Sequence, residues 1–234
     1  MEIRAYTANE LFNNVSNILL DKEWHLSLYK FDEGPVYSEI QNANMMLINP
    51  TENLMNESYR KMPIKYAVGE LLWYNSRNRS ADSIKDFSRF WQTIADDDGN
   101  VNSNYGWCIH DKFDFDQWDF VKKLLIKDPS TRQAVIHIKE PRNLLDDPTK
   151  DVNCTIALQF MIRGDKLDMI VTMRSNDVWL GLPYDVFNFT CMQIQMAMEL
   201  NVGIGLYYHN SGSLHLYRKD YDKLIKNMEE QDGV

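Results

Sequence analysis

Cys154 and Arg174 are spaced so that a thiol and a guanidinium could meet across a hairpin. They lie at the outer ends of two strand-like runs, residues 154–162 and 167–173, and the turn between them contains Gly164. In a hairpin centred on Gly164 the two residues oppose each other within side-chain reach. A guanidinium beside a thiol favours the thiolate, which is the nucleophilic form. A core cysteine and a surface arginine fit the same pattern, because a register slip of one residue would separate them.

A polar segment leads into a long apolar one at residues 173–185, MRSNDVWLGLPYD. Residues 174–177 are all polar, and Asp185 stands at the head of the apolar stretch. A carboxylate at this position has a structural explanation, since it would face a helix dipole for a gain of about 1 kcal/mol or less. Ligand binding is the alternative interpretation of the same residues.

Glu70, His215 and Tyr217 are further candidates for chemistry. Glu70 lies in GELLWY among apolar neighbours, where burial could raise its pKa enough for acid–base work. His215 and Tyr217 alternate on one face of a short strand and could both donate to a sugar hydroxyl. Exposed helix glutamates and structural strand histidines are the commoner cases, so spacing alone leaves both interpretations open.

Length and composition predict one domain over residues 1–234, with 44% hydrophobic and 25% charged residues. No apolar run is long enough to span a bilayer, and the first ten residues lack the apolar centre of a signal peptide. Three widely spaced cysteines predict a reduced, cytoplasmic protein. The net charge of −9 argues against an extended nucleic-acid contact. Five histidines without paired spacing, and no C-x-x-C motif, predict no metal site.

Hydrophobic periodicity and turn signals predict an α+β domain with a mainly antiparallel sheet. Helices are predicted from about residue 8, after a capping box at residues 7–10, and over residues 64–74, 81–94, 115–126, 183–200 and 220–230. Strands are predicted over residues 24–30, 36–40, 45–47, 133–139, 154–162, 167–173, 202–208 and 213–217.

Six segments together resemble the thymidylate synthase family. They keep the family order between residues 64 and 217, and they are GELLWY, FWQTIADDDGNVNSNYG, DPSTRQAVI, NCTIALQF, RSNDVWLGLP and GSLHLY. The resemblance implies a homodimeric α+β enzyme whose sheets pack back to back. It also implies that a cysteine adds to C6 of a pyrimidine nucleoside monophosphate. C5 of the nucleotide then takes a one-carbon unit from 5,10-methylenetetrahydrofolate, the folate co-substrate.

The resemblance assigns the phosphate and nucleophile positions first. Cys154 resembles the nucleophile, and Arg174 and Ser175 resemble the residues that hold the phosphate, with Arg174 also polarising the cysteine. Arg132 resembles an arginine that crosses the dimer interface to the partner's phosphate.

The remaining nucleotide positions follow from the same motifs. His215 and Tyr217 resemble the pair that binds the sugar 3′-hydroxyl, and Gln159 matches a buried glutamine near the site. Glu70 resembles the glutamate that organises proton transfer through water, and Tyr105 a tyrosine near the reacting base.

The folate positions form a third group. The residues that resemble folate contacts are Asp177, Leu180, Gly181 and the aromatic Trp91. Arg60 and Lys61 fall where basic residues of the family meet the glutamate tail of the folate.

Several positions depart from the family pattern. Gln133 follows Arg132 where the family usually has a second arginine, and residues 37–43 contain no phosphate-binding arginine. Thr155 and Ile94 stand where methylating members usually have a histidine and a tryptophan. These departures put the phosphate affinity and the methylation reaction in question.

Asp185 is the most informative departure, because uracil-methylating members have an asparagine there. NSNYGW, MRSND, GSLH and this aspartate resemble the T-even bacteriophage branch of the family, the deoxycytidylate hydroxymethylases. Cytosine presents an N4 amino donor that a carboxylate accepts, whereas an ionised carboxylate would be repelled by uracil O4. Asp185 could also help N3 gain a proton when Cys154 adds at C6.

Hydroxymethylation of dCMP is therefore the expected activity, and two alternatives remain. The first is methylation of dUMP or dCMP, in which a hydride from tetrahydrofolate replaces water. The second is a non-catalytic nucleotide-binding relative, which Gln133 and the missing arginine favour. The intact set of Cys154, Arg174, Asp177 and His215 argues against the second.

Overall fold

The computed structural model describes residues 1–22, 24–26, 35–56, 58–141, 145 and 149–232. Its helices are α1 (Ala8–Leu20), α2 (Ile64–Ser76), α3 (Phe90–Ile94), α4 (Tyr105–His110), α5 (Gln117–Lys127), α6 (Leu182–Leu200) and α7 (Arg218–Asp232). Its strands are β1 (Glu2–Ala5), β2 (Trp24–Leu26), β3 (Pro35–Leu47), β4 (Val135–His137), β5 (Thr155–Arg163), β6 (Lys166–Met173), β7 (Asn176–Asp177) and β8 (Gly203–Tyr217). The architecture is α+β, as predicted.

The eight described strands form one mixed sheet in the order β1-β3-β8-β6-β5-β4, with β2 paired to β3 and β7 paired to β8. Four of these pairings are antiparallel and three are parallel. The parallel contacts join β1 to β3, and β6 and β7 to β8. The β6–β8 contact is parallel because α6 crosses between the two strands in the chain.

Two pairs of predicted short strands are single long strands. Residues 36–40 and 45–47 both belong to β3, and residues 202–208 and 213–217 both belong to β8. The polar segments within them resemble turns in the sequence. Both strands stay continuous because β3 and β8 pair with each other on either side of these segments, with Ala43 opposite Ser211 and Gln41 opposite Ser213, although Asn42 has a positive φ of 50°. The predicted strand over residues 24–30 is observed as β2, and residues 27–30 lie outside the described part.

The β5–β6 hairpin has a different centre from the predicted one. Arg163 pairs with Lys166, so the turn consists of Gly164 and Asp165, both with positive φ. This shifts most of the ladder by one residue from the Gly164-centred register. An irregularity between Thr155 and Ala157 removes the shift again, and Thr155 pairs with Met173.

One predicted helix is wrong in length. Residues 81–94 form a 3-10 helix at Ala81–Ile84 and then the short α3, with a turn between them. The Phe87 ring in this turn lies against Gly69 of α2, so closely that a Cβ at position 69 would fall 2.4 Å from it. That packing holds the connecting turn beside α2 and interrupts the helix.

Helices α1 and α6 cover the sheet with apolar side chains. Thr7 caps α1 by accepting the Glu10 N–H, as the capping box predicts. Helix α6 buries eleven of its nineteen residues, including Val186, Phe189 and Met196. Among the described residues, no helix is long and apolar enough to cross a bilayer.

Candidate active site

A cleft of about 1130 Å³ lies between the helical layer and the ends of strands β5 to β8. It gathers thirteen of the sixteen predicted site residues: Arg60, Glu70, Trp91, Tyr105, Cys154, Arg174, Ser175, Asp177, Leu180, Gly181, Asp185, His215 and Tyr217. Lys61, Arg132 and Gln159 do not line it. Lys61 and Arg132 are exposed, whereas Gln159 is half-exposed on β5 and donates to the Arg132 carbonyl at 2.9 Å.

Cys154 and Arg174 oppose each other at the cleft end of the hairpin. The Arg174 N–H donates to the Cys154 carbonyl at 2.8 Å, which continues the pairing of Thr155 with Met173. The predicted proximity is therefore correct, although the register used to predict it holds only on this side of the β5 irregularity. The guanidinium donates to the carbonyls of Val152 at 2.8 Å and Asn153 at 3.1 Å, which fixes its position.

The Cys154 thiol has a raised pKa in the free protein. Burial has the largest effect, and the nearby carboxyl groups of Asp185 and Asp151 act in the same direction. Arg174 and Lys139 lower the pKa but do not outweigh these effects. The expected net stabilisation of the thiolate is therefore not present before ligands bind.

Glu70 is buried at the floor of the cleft and is held by two hydrogen bonds. Tyr66 Oη donates to Glu70 Oε1 at 2.6 Å, and Asn188 Nδ2 donates to Oε2 at 2.8 Å. Trp91 Nε1 in turn donates to Tyr66 Oη at 3.1 Å. Burial raises the pKa of Glu70 to about 7, so this carboxyl group can both give and take a proton near neutral pH.

Asp185 lies in the first turn of α6 and faces the same cleft. Asn176 Nδ2 donates to Asp185 Oδ2 at 2.7 Å. Burial, followed by the negative charge of Glu70, raises the pKa of Asp185 to about 8. Asp185 is therefore mostly a neutral carboxylic acid at pH 7, and the ionised carboxylate expected from the sequence is the minor form.

His215, Tyr217 and Asp177 form the end of the cleft beside β7 and β8. The rings of His215 and Tyr217 meet edge-to-face with centroids 4.9 Å apart. Asp177 Oδ1 accepts the N–H groups of Trp179 and Leu180 at 2.8 and 2.9 Å, so the carboxylate orders the turn before α6. Burial raises the pKa of Asp177 and lowers that of His215, which favours the neutral form of both groups.

Aromatic rings and Arg60 line the wall on the helical side. Trp91 is buried and its ring lies 4.9 Å from that of Trp73. Arg60 is also buried, donates to Tyr184 Oη at 3.1 Å and stacks on the rings of Trp179 and Tyr184. Tyr105 stacks on Phe189 and accepts a 2.8 Å hydrogen bond from Thr155 Oγ1, so it is held rigidly beside Cys154.

The sequence model described as Thymidylate synthase matches residues 39–233, which is most of the chain. The chain belongs to the thymidylate synthase family. Deoxycytidylate 5-hydroxymethyltransferase from Enterobacteria phage T4 is 31% identical over 168 residues, which cover 67% of this chain and 68% of the phage protein. Deoxyuridylate hydroxymethyltransferase from Bacillus phage SP01 is 30% identical over 214 residues, 86% of this chain and 56% of that protein. Thymidylate synthase from Bacillus atrophaeus is 28% identical over 180 residues, 74% of this chain and 78% of that protein.

The fold comparison agrees with the family assignment. Thermostable thymidylate synthase A from Bacillus subtilis superposes with a TM-score of 0.75 at 22% identity, over 94% of this chain and 84% of that one. The chain is a thymidylate synthase-type one-carbon transferase, and 5,10-methylenetetrahydrofolate is the co-substrate of this family.

Sequence reasoning missed several polar residues that this member of the family places around the cleft. Tyr66 precedes Glu70 by four residues, so the two share one face of α2, and this spacing was a usable signal. Asn188 was a second one, because it is an amide within an apolar helix. Asn176 was seen only as part of a polar run, and its contact with Asp185 depends on how β7 joins the sheet.

Within the part of the chain that the structure describes, no group of three or more His, Cys, Asp or Glu side chains is arranged to hold a metal ion.

Proposed function

We propose that this protein transfers a hydroxymethyl group to C5 of dCMP, using 5,10-methylenetetrahydrofolate and water. The observation that carries the proposal is that Asp185 lines the cleft and lies close enough to Cys154 to raise the pKa of its thiol. The phage T4 relative, named as acting on deoxycytidylate, supports the same choice of base.

A neutral Asp185 suits cytosine better than the ionised form does. Cytosine presents N3 as an acceptor next to the N4 amino donor, and a carboxylic acid presents one donor next to one acceptor. The acid can therefore make both hydrogen bonds at once. It can also supply the proton that N3 needs when the ring becomes electron-rich at C5.

The reaction proceeds from Cys154. Its thiolate adds to C6 of cytosine. C5 then forms a bond to the methylene carbon of the folate as one of that carbon's two bonds to nitrogen breaks, and C5 loses its proton. Tetrahydrofolate leaves with the electrons of the second carbon–nitrogen bond and takes up a proton, which gives an exocyclic methylene at C5. Water adds its hydroxyl to that methylene, the thiolate leaves C6, and 5-hydroxymethyl-dCMP is released. Glu70, with a pKa of about 7, moves protons through water in these steps.

The phosphate of the nucleotide binds at Arg174 and Ser175. The positive charge of Arg174 also lowers the pKa of the Cys154 thiol. Arg218 and Lys219 line the same cleft and follow Tyr217 directly, so they add positive charge where the family's N-terminal arginine is missing. His215 and Tyr217 hold the sugar 3′-hydroxyl, and Tyr105 lies near the base.

The second anchor of the phosphate comes from a partner subunit in a homodimer. Arg132 is exposed and lies outside the cleft of its own chain, as suits a residue that serves a neighbour. Gln159 bonds the Arg132 carbonyl and so belongs to the same interface. The sheet offers a half-exposed face for this contact, on which Leu206, Tyr208 and Asn210 alternate.

The folate occupies the wall formed by Trp91, Leu180, Gly181 and Asp177. Its glutamate tail runs toward Arg60 and the exposed Lys61. Arg60 supports this direction because its Nη1 atom is buried without a hydrogen-bond partner, which leaves one donor for a carboxylate.

Hydroxymethylation of dUMP is the second candidate, because the SP01 relative named as acting on deoxyuridylate aligns over 86% of this chain. Methylation is the third, and the Bacillus atrophaeus thymidylate synthase is its support. The three reactions differ in the base consumed and in the folate product.

Product analysis tests the proposal. The protein is incubated separately with dCMP, CMP and dUMP, each with 5,10-methylenetetrahydrofolate, and the products are identified by mass spectrometry. Absorbance at the dihydrofolate band is followed in parallel, since methylation forms dihydrofolate and hydroxymethylation does not. 5-Hydroxymethyl-dCMP without dihydrofolate is the expected result. A dihydrofolate signal that matches turnover, or turnover of dUMP alone, contradicts it.

A further inference from the structure

Four side chains form a continuous line of hydrogen bonds that ends at Asp185. Tyr207 Oη lies 2.8 Å from His209 Nδ1, and His209 Nε2 lies 3.2 Å from Asn176 Oδ1. Asn176 Nδ2 completes the line at 2.7 Å from Asp185 Oδ2. Tyr207, His209 and Asn176 are buried, and the first two do not line the cleft.

The line has one direction in this structure. Asn176 turns its amide nitrogen to Asp185, so its Oδ1 must accept from His209 Nε2–H. Burial lowers the pKa of His209 to about 3, so the ring is neutral and carries only one N–H. His209 Nδ1 is then an acceptor, and the Tyr207 hydroxyl donates to it.

The direction of the line decides which carboxyl oxygen of Asp185 can carry a proton. Oδ2 accepts from Asn176 and cannot also present a hydrogen atom to it. The carbonyl oxygen of a carboxylic acid is a better acceptor than its hydroxyl oxygen, so the bond from Asn176 favours the proton on Oδ1 and the acceptor role on Oδ2. A hydrogen atom on Oδ2 that pointed at Asn176 would require Asn176 to flip, His209 to change tautomer and Tyr207 to rotate its hydroxyl together.

The hydrogen bond between Asn176 and Asp185 fits only because the neighbouring residue 181 is a glycine. A Cβ at position 181 would lie 2.9 Å from Asn176 Nδ2 and 3.2 Å from Asp185 Oδ2, the two atoms that form the last bond of the line. Gly181 thus keeps the Asn176–Asp185 contact open, in addition to lining the cleft.

We infer that Tyr207, His209 and Asn176 are positioning residues that fix the hydrogen-bond polarity of Asp185, so that its carboxyl group matches only one pyrimidine base. The inference rests on the proposed role of Asp185 in reading the base. With the donor on Oδ1 opposite N3 and the acceptor Oδ2 opposite N4, cytosine is matched at both atoms. Uracil, with N3–H and O4, meets a donor opposite a donor and an acceptor opposite an acceptor. Without the line, the proton could move to the other oxygen, and both bases would be accepted.

The test measures base discrimination rather than activity alone. Exchange of tritium from C5 of dCMP and of dUMP is measured for the parent, Tyr207→Phe, His209→Leu and His209→Gln. Tyr207→Phe removes only the first hydroxyl of the line, and His209→Leu removes its central donor. His209→Gln keeps an N–H that can reach Asn176. Tyr6→Phe is the control, because it removes a hydroxyl from an exposed residue that does not line the cleft. Thermal unfolding verifies that each variant is folded.

The expected result is a smaller ratio of kcat/KM between the two bases in Tyr207→Phe and His209→Leu, by about 5- to 150-fold for His209→Leu and less for Tyr207→Phe. His209→Gln should recover most of the ratio, and Tyr6→Phe should leave it unchanged. If folded Tyr207→Phe and His209→Leu both keep the parental ratio, these residues only fill the core and the inference is wrong. The ratio is informative whichever base the parent prefers. A preference for dUMP in the parent would therefore contradict the proposed function while the positioning role is still judged separately.

Discussion

At the scale of single residues, the cleft contains ionisable groups whose neutral forms burial favours. The Cys154 thiol, Glu70 and Asp185 all have a raised pKa, and burial is the first cause in each case. Arg174 is the cation held against this neutral set. A phosphate that binds Arg174 would displace solvent and hold the nucleotide beside Cys154. Chemistry is therefore tied to substrate binding.

Cys154→Ser is expected to abolish turnover and to leave dCMP binding largely intact, because a serine hydroxyl is a far poorer nucleophile at neutral pH. Steady-state rates and calorimetric binding of dCMP measure the two effects. Cys191→Ser is the control, since that half-buried thiol lies in α6 and does not line the cleft. Near-normal turnover in Cys154→Ser would assign the nucleophile to another residue.

Asp185→Asn is expected to reduce turnover of dCMP by about 100-fold or more, because an amide cannot transfer a proton to N3. The dissociation constant for dCMP should change by less than about tenfold, since the asparagine oxygen can still accept from Asn176 and its amide can still donate to the base. Single-turnover rates and equilibrium binding separate these effects. Unchanged turnover would leave Asp185 with a structural role at the start of α6.

The raised pKa of Asp185 also makes stability depend on pH. The folded protein binds this proton up to about pH 8 and the unfolded chain only to about pH 4, so the stabilisation is complete at low pH and is lost as pH rises through that window. The loss is on the order of 1.4 kcal/mol per pH unit for one such group. The free energy of unfolding in urea is measured for the parent and for Asp185→Asn at pH 5.5, 6.5 and 7.5. The free energy of the variant should increase relative to that of the parent at each step in pH. If the free energy of unfolding depends on pH in the same way in both proteins, Asp185 is ionised in the folded protein.

The sequence was sufficient to bring most site residues together but not to assign their charge states. Motif order located Cys154, Arg174 and His215 correctly around one cleft. The thiol was expected to be favoured as a thiolate, and burial reverses that balance. Burial is set by side chains distant in the chain, so neither motif nor spacing reports it. The contact of His209 with Asn176 joins residues 33 positions apart, so it could not be predicted from the sequence either.

At the scale of elements, α2 and α4 are the two helices whose separation controls the cleft. Tyr66 and Glu70 belong to α2, and Tyr105 begins α4. Gly106 lets the two approach, because a Cβ there would lie 1.7 Å from the Tyr74 carbonyl oxygen. The distance between Glu70 and Tyr105 therefore depends on a residue that touches neither ligand.

Gly106→Ala is expected to destabilise the fold by about 3 kcal/mol or more, because the added methyl group meets backbone that cannot rotate away. Gly99→Ala is the matched control: position 99 has φ +76° but nothing within 4 Å of an added Cβ, so only backbone strain of about 1 kcal/mol applies. Urea unfolding of both variants gives the comparison. If both variants lose the same free energy of unfolding, α2 and α4 can move apart without destabilising the fold.

The element boundaries show what local pattern can predict. Helices α1, α2 and α6 were predicted closely, because caps and apolar periodicity are local signals. Strands β3 and β8 were each predicted as two pieces, because the pairing of β3 with β8 that makes each strand continuous is not a local signal. The β5 irregularity was missed for the same reason, although it is the feature that brings Cys154 opposite Arg174.

At the scale of the whole molecule, the proposed homodimer makes each active site depend on two chains. Mixing Arg132→Ala with Cys154→Ser and allowing subunit exchange should restore about a quarter of parental activity, because half the dimers are mixed and each has one complete site. Gel filtration or mass spectrometry verifies the exchange. Exchange without recovered activity would mean that Arg132 acts within its own chain or outside the site.

The neutral carboxyl groups of the cleft also change how the entire molecule behaves in an electric field. The formal charge of −9 counts Glu70 and Asp185 as fully ionised. With pKa values of about 7 and 8, the two together carry roughly half of one negative charge at pH 7. At pH 5 both carboxyl groups are neutral in the folded protein, whereas the same two groups are mostly ionised in the unfolded chain. A doubly charged nucleotide that enters the cleft thus meets less negative charge at its buried floor than the composition suggests.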